Sequence, residues 1–237
     1  MRIHLFIPCF VDQLMPHVGV AMVRVLEKLG HTLVYPERQT CCGQPPFNSG
    51  FSDEARAVAA HQLTCFEEAE VVVGPSGSCV AMMKVFYPQL FAGTPQEAAA
   101  QALAAKTFEF SQFLVDRLGV TDVGATFQGK VTIHDGCHGL RELKIKRQPR
   151  ALLRHVRGLE VVEMGEAETC CGFGGAFAVK MPQLSTAMAE VKARSILATG
   201  AQAVVSCDPS CLMQIGGYLK RQGHAIRCLH IAEVLAS

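Results

Sequence analysis

Apolar and polar residues alternate from Ile3 to Pro8, which predicts a strand at the start of the chain. Val20, Val23 and Leu26 then recur at helical spacing and the pattern stops at Gly30, predicting a helix over Val20 to Leu29 with a glycine C-cap. Thr32 to Tyr35 reads as a second strand, and Val71-Val72-Val73 as a short buried one. The theme returns later with strands at Val131 to Ile133, Glu160 to Met164 and Ala203 to Val205, and a helix over Arg150 to Val156. Strand, helix, strand in succession predicts parallel sheets. Between the two runs, Pro95 to Leu118 is alanine-rich and then amphipathic through Phe110, Phe113 and Leu114, so helices that connect the halves or pack on them are expected there.

The predicted fold is therefore α/β: two pseudo-repeated Rossmann-like halves with mainly parallel sheets, residues 1–125 and 126–237. At 237 residues the chain can bury a substantial core. Its 49% hydrophobic and 18% charged content excludes a disordered chain. A formal charge of +1 lacks the basic excess of a nucleic-acid partner. The amino terminus carries no signal-peptide pattern and no apolar run is long enough to cross a bilayer, so a cytoplasmic protein without direct membrane insertion is expected.

Eleven cysteines change the picture. Clustered thiols in a reducing compartment bind metal or do redox work more often than they pair as disulfides. Cys9, Cys41-Cys42-Gly43 and Cys79 recur as Cys137, Cys170-Cys171-Gly172 and Cys211. The offset is 128 positions from Cys9 to Cys137 and 129 from each member of the first pair to the second. Cys79 lies 128 positions before Cys207 and 132 before Cys211; the local match of Gly77-Ser78-Cys79-Val80 to Pro209-Ser210-Cys211-Leu212 selects Cys211 and leaves Cys207 as an additional candidate ligand. Cys65 and Cys228 have no counterparts and read as core cysteines.

Cys9, Cys79, Cys137 and Cys207 each follow a predicted strand, at the sheet edge where ligands gather in open α/β proteins. Each half can thus bring about four thiols from separate loops to one place, the usual holding set for an iron–sulfur cluster. Gly43 and Gly172 suit the turns behind the cysteine pairs, where exposed N–H groups favour an anionic cluster. Zinc takes four thiolates equally well, although its structural ligands usually arrive as two closely spaced pairs, and protein isolated in air can lose iron and carry zinc, or nothing, without that being its working state. A vicinal disulfide or thiol switch at either pair is the third reading. His134 and His138 flank Cys137 as donors or ligands, with solvent-facing loop positions the simpler expectation. The basic stretch from Arg141 to Arg157 reads as a solvated helix face.

Both Cys-Cys-Gly segments resemble the cysteine-rich CCG domain found in heterodisulfide reductase and in related iron–sulfur oxidoreductases. A nearer resemblance, over almost the whole chain, is to the lactate-utilisation protein A family. It is carried by Cys41-Cys42-Gly43-Gln44-Pro45 with Asn48-Ser49-Gly50, Gly77-Ser78-Cys79, Val123-Gly124-Ala125, Cys170 to Gly175 with Val179-Lys180-Met181, and His230 to Leu235. The resemblance implies an iron–sulfur protein, with one 4Fe–4S cluster per half, acting with two partner proteins, one of them ferredoxin-type. It implies oxidation of L-lactate to pyruvate with electrons passed toward the respiratory chain. It also implies ligation by Cys9, Cys41, Cys42 and Cys79, and by Cys137, Cys170, Cys171 and Cys211. The heterodisulfide reductase pattern closes each half with Cys-x-x-Cys; here Ser76 stands at the earlier position of the first half, so four thiols per half are expected.

Overall fold

The computed structural model describes residues 1–237 and contains two four-stranded sheets, every pairing parallel. The first holds β1 (Arg2–Leu5), β2 (Thr32–Val34), β3 (Val72–Gly74) and β4 (Thr107–Glu109) in the order β2-β1-β3-β4. The second holds β5 (Thr126–His134), β6 (Arg157–Val162), β7 (Ala203–Ser206) and β8 (Arg227–His230) in the order β6-β5-β7-β8. The duplication read in the cysteines is thus a duplication of topology.

In both sheets the strand order reverses direction between the first and third strands, and crevices at such switch points receive ligands. The loops after β1 and β3, and after β5 and β7, open there; they carry Cys9 and Cys79, and Cys137 and Cys211.

Period-two alternation decides which core each strand feeds. Ile3, Leu5 and Val73 of the first sheet and Val131, Ile133, Ala203 and Val205 of the second enter one cluster of 25 buried residues. Phe6 and Val72 point the other way, into a separate cluster with helix Ser52–Cys65, while Val204 turns toward helices Pro182–Ala198 and Pro209–Arg221. The central core is therefore shared between the halves, and helix Ile231–Leu235 at the carboxyl end packs beside helix Pro16–Lys28 of the first half. No helix is long and apolar enough to cross a membrane.

Several expected elements shift. The connector is not wholly helical: Thr107–Glu109 breaks the run to pair with β3 as the edge of the first sheet, with Thr107 and Glu109 fully buried. Three residues are too few to display a period, so only pairing reveals this strand. The helix expected over Arg150 to Val156 spans Arg147–Leu153, and the following strand runs Arg157–Val162 because Arg157 pairs with Thr126. Arg150 on that helix is not solvated: it makes two 2.8 Å contacts to Asp135 and is only 12% exposed.

Candidate metal centre

Each single cysteine sits in the first turn of a helix leaving a strand end. Cys9 opens Cys9–Leu14, Cys137 opens Cys137–Arg141, Cys79 lies in Gly77–Ala81 and Cys211 in Pro209–Arg221. Unpaired N–H groups of such turns favour negative charge on sulfur. Ser76 caps the helix of Cys79 and Asp208 caps that of Cys211, so these two residues are equivalent and Cys79 pairs with Cys211. The equivalence puts Pro75, not a thiol, opposite Cys207.

The adjacent pairs are held from behind. Gly43 and Gly172 take left-handed φ of 82° and 88°, letting their N–H groups turn back to Cys41 Sγ and Cys170 Sγ at 3.4 Å in each half. Gln62 Nε2, on helix Ser52–Cys65, donates to the carbonyls of Thr40 (2.6 Å) and Cys41 (3.1 Å). In the second half the corresponding donor is Lys192 Nζ, fully buried, reaching the carbonyls of Glu166 and Ala167. Tyr87 Oη donates to the Cys42 carbonyl at 2.9 Å.

All eight repeated cysteines line one cavity of about 200 Å³ at the junction of the halves. Phe10 and Phe173, from opposite halves, meet edge to face at 5.9 Å on its wall. Two four-thiol sets thus share one chamber instead of occupying two separate sites. The halves are clasped below it: Asp208 Oδ2 accepts from Ser78 N at 2.7 Å, and Gly77 N donates to the Cys207 carbonyl at 3.1 Å.

The thiols cannot all ionise together without a cation. Cys41 is pulled down to about 2 by hydrogen bonds from Cys42 and Cys9, and Cys170 to about 2 by those from Cys137 and Cys171. The donors bear the reciprocal cost: Cys9, Cys42, Cys137 and Cys171 are all pushed up, first by those same hydrogen bonds. Within each set these hydrogen bonds gather negative charge on one thiol of the adjacent pair, and a metal binding there would displace the protons of the thiols that donate to it.

Cys207 lies outside the cavity lining; its thiol is directed to Ser111 Oγ at 3.6 Å and burial raises its pKa well above the ordinary value. Cys65 and Cys228 are partly buried against the two peripheral cores. All eleven cysteines are free thiols. His138 lines the cavity, with Nδ1 3.7 Å from Cys137 Sγ. His134 corrects the expectation of a solvent-facing loop: it ends β5 at 1% exposure, and burial drives its pKa down to about 3. Sequence reasoning missed Asp208 as the cross-half clasp, although an aspartate before Pro-Ser at a strand end is a legible N-cap signal.

This arrangement agrees with what the chain is similar to. The CCG cysteine-rich domain model matches residues 3–84 and again 131–216. Lactate utilization protein A from Exiguobacterium sp. is 51% identical over 99% of this chain and 96% of its own length, and that from Bacillus pumilus is 49% identical over 100% of both. The chain belongs to the lactate utilization protein A family. The family's two cysteine-rich domains correspond to the two sheets, and the matched segments contain all eight thiols of the cavity. Among solved structures, a hypothetical protein from Helicobacter pylori superposes with a TM-score of 0.68 at 9% identity, covering 99% of this chain. The chain spans 48% of that protein, and the likeness is one of fold.

Proposed function

We propose that the chain is the iron–sulfur component of a complex that oxidises L-lactate to pyruvate, relaying the electrons toward the respiratory chain. The observation that carries this reading is the convergence of two four-thiol sets on one cavity. The donor set fits such a group: soft thiolates select iron–sulfur clusters, and four per half suit one cluster each. Cys9, Cys41, Cys42 and Cys79 would hold the first, and Cys137, Cys170, Cys171 and Cys211 the second. Bound there, a 4Fe–4S cluster would accept and release electrons one at a time.

The chain's own residues supply the setting. The helix first turns and the glycine N–H groups stabilise the negative sulfur. Gln62 and Lys192 fix the loops that enter the cysteine pairs. The shared cavity brings the two centres together for transfer between the halves, residues 1–125 and 126–237. Oxidation of lactate releases two electrons and two protons, so relay through paired one-electron centres matches the stoichiometry. The family name supports lactate as the source of electrons and work alongside other lactate-utilisation proteins. A ferredoxin-type iron–sulfur protein is the partner proposed to carry the electrons onward.

Protein purified and reconstituted without oxygen should contain iron and acid-labile sulfide and give an EPR signal on reduction. Cys171→Ser should remove one centre and spare the other. Folded protein that takes up zinc but no iron under these conditions would refute the proposal in favour of a structural scaffold.

A further inference from the structure

The two thiol sets are not identical in their surroundings. Cys9 and Cys137 are equivalent, so the residue three positions before each is equivalent too: Phe6 in the first half and His134 in the second. Phe6 is fully buried and packs edge to face on Phe66, 5.9 Å between centroids, as an ordinary core residue. His134 is equally buried, yet neither Nδ1 nor Nε2 has a hydrogen-bond partner.

An unpartnered imidazole in a protein interior is costly, because burial strips it of water and returns no hydrogen bond. His134 has a definite destination for that bonding capacity. One of its ring nitrogens, Cys171 Sγ and Cys211 Sγ all lie within 4.8 Å of one another, and all three residues are buried. His134 does not line the main cavity; it lines a small neighbouring pocket with Asp135, Gly136 and Cys207, and Asp208 lines both.

We propose that His134 is a nitrogen ligand of the second centre, taking the place of one of the four thiolates assigned to it above, so that this centre is a mixed imidazole–thiolate site, whereas the first, with Phe6 in the matching place, is held by thiolates alone. This rests on the iron–sulfur reading above. A neutral imidazole lone pair is a common metal donor, and its participation raises the potential of an iron–sulfur centre relative to purely thiolate ligation. Two chemically distinct centres in one chamber give electron flow a direction, from the all-thiolate centre of the first half to the mixed centre of the second.

The test uses the whole chain, reconstituted without oxygen and selectively labelled with 15N-histidine. Pulsed EPR of the reduced protein should show a 15N coupling of directly ligated strength on one of the two signals. That coupling should persist in His138→Ala, because His138 is the other imidazole beside this site, and vanish in His134→Phe, which copies the first half. His134→Phe should also make the second centre at least about tenfold harder to reduce, equivalent to 59 mV for a one-electron couple, with the first centre unmoved. Iron-loaded wild-type protein without a ligand-strength histidine coupling would overturn the inference and leave the iron–sulfur reading standing. Failure to bind iron at all would instead overturn that reading. Because the wild-type labelling needs no substitution, the inference stays open to refutation even where His134→Phe does not fold.

Discussion

Replacing Gly172 by alanine should remove the second centre, and the cost can be worked from the geometry. At φ 88° any residue with a Cβ enters the left-handed region, at about 1–2 kcal/mol for alanine. That Cβ would also lie 2.5 Å from the Ser185 carbonyl oxygen and 3.0 Å from Met188 Cβ, both on helix Pro182–Ala198, so the helix or the Cys171 loop must move. Forced overpacking of this kind costs about 1–3 kcal/mol. Lower entropy of the unfolded chain returns about 0.4–1 kcal/mol. The net is a loss of about 2–4 kcal/mol, which for a chain of this size lowers Tm by on the order of 10 °C. Gly43→Ala is the internal control: its φ is 82°, but its Cβ would meet only the Ala55 carbonyl at 3.2 Å and Val58 at 3.6 Å. It keeps the backbone penalty and loses most of the clash, for a net cost of about 1 kcal/mol. Thermal unfolding of the metal-free proteins by circular dichroism measures both. Iron counting should then show Gly172→Ala retaining the first centre and losing the second. A Gly172→Ala protein that melts at or above the temperature of Gly43→Ala would refute the reasoning.

Three further outcomes follow from the packing. Arg150→Ala should cost about 3–5 kcal/mol, because it strands the carboxylate of Asp135, whose side chain is 3% exposed, two residues before Cys137; denaturant unfolding reads the loss, and an unchanged midpoint would contradict it. Burial lifts Glu109 from its ordinary 4.5 to about 7, so between those values the folded state holds a proton that the unfolded state has released. Stability should therefore fall by about 3 kcal/mol as pH rises through that window, and Glu109→Gln should flatten the decline in a pH series of unfolding curves. Residues 1–125 expressed alone should give no cooperative thermal transition, since Ile3, Leu5, Val73 and Phe110 belong to a 25-residue core completed by Val131, Ile133 and Val205; a sharp transition in that fragment would show that the half folds unaided.

The duplication, the parallel α/β character and the thiols that recur at offsets of 128 to 132 positions were all legible in the chain, because each is written locally. Strand alternation at Ile3 to Pro8 and at Val131 to Ile133 needs only neighbouring residues, and a repeated Cys-Cys-Gly needs only counting. Tertiary structure decided the rest. Thr107–Glu109 and Arg227–His230 become strands only because β3 and β7 offer them an edge, and segments of three or four residues carry no period of their own. That both thiol sets open into one cavity follows from a core shared across the halves and from the Asp208 clasp on Ser78, contacts spanning 130 positions that no local pattern encodes. His134 makes the same point for a single side chain: a histidine beside a cysteine reads alike on a loop or in a core, and only the end of β5, sealed by the packing around it, turns its imidazole toward sulfur rather than water.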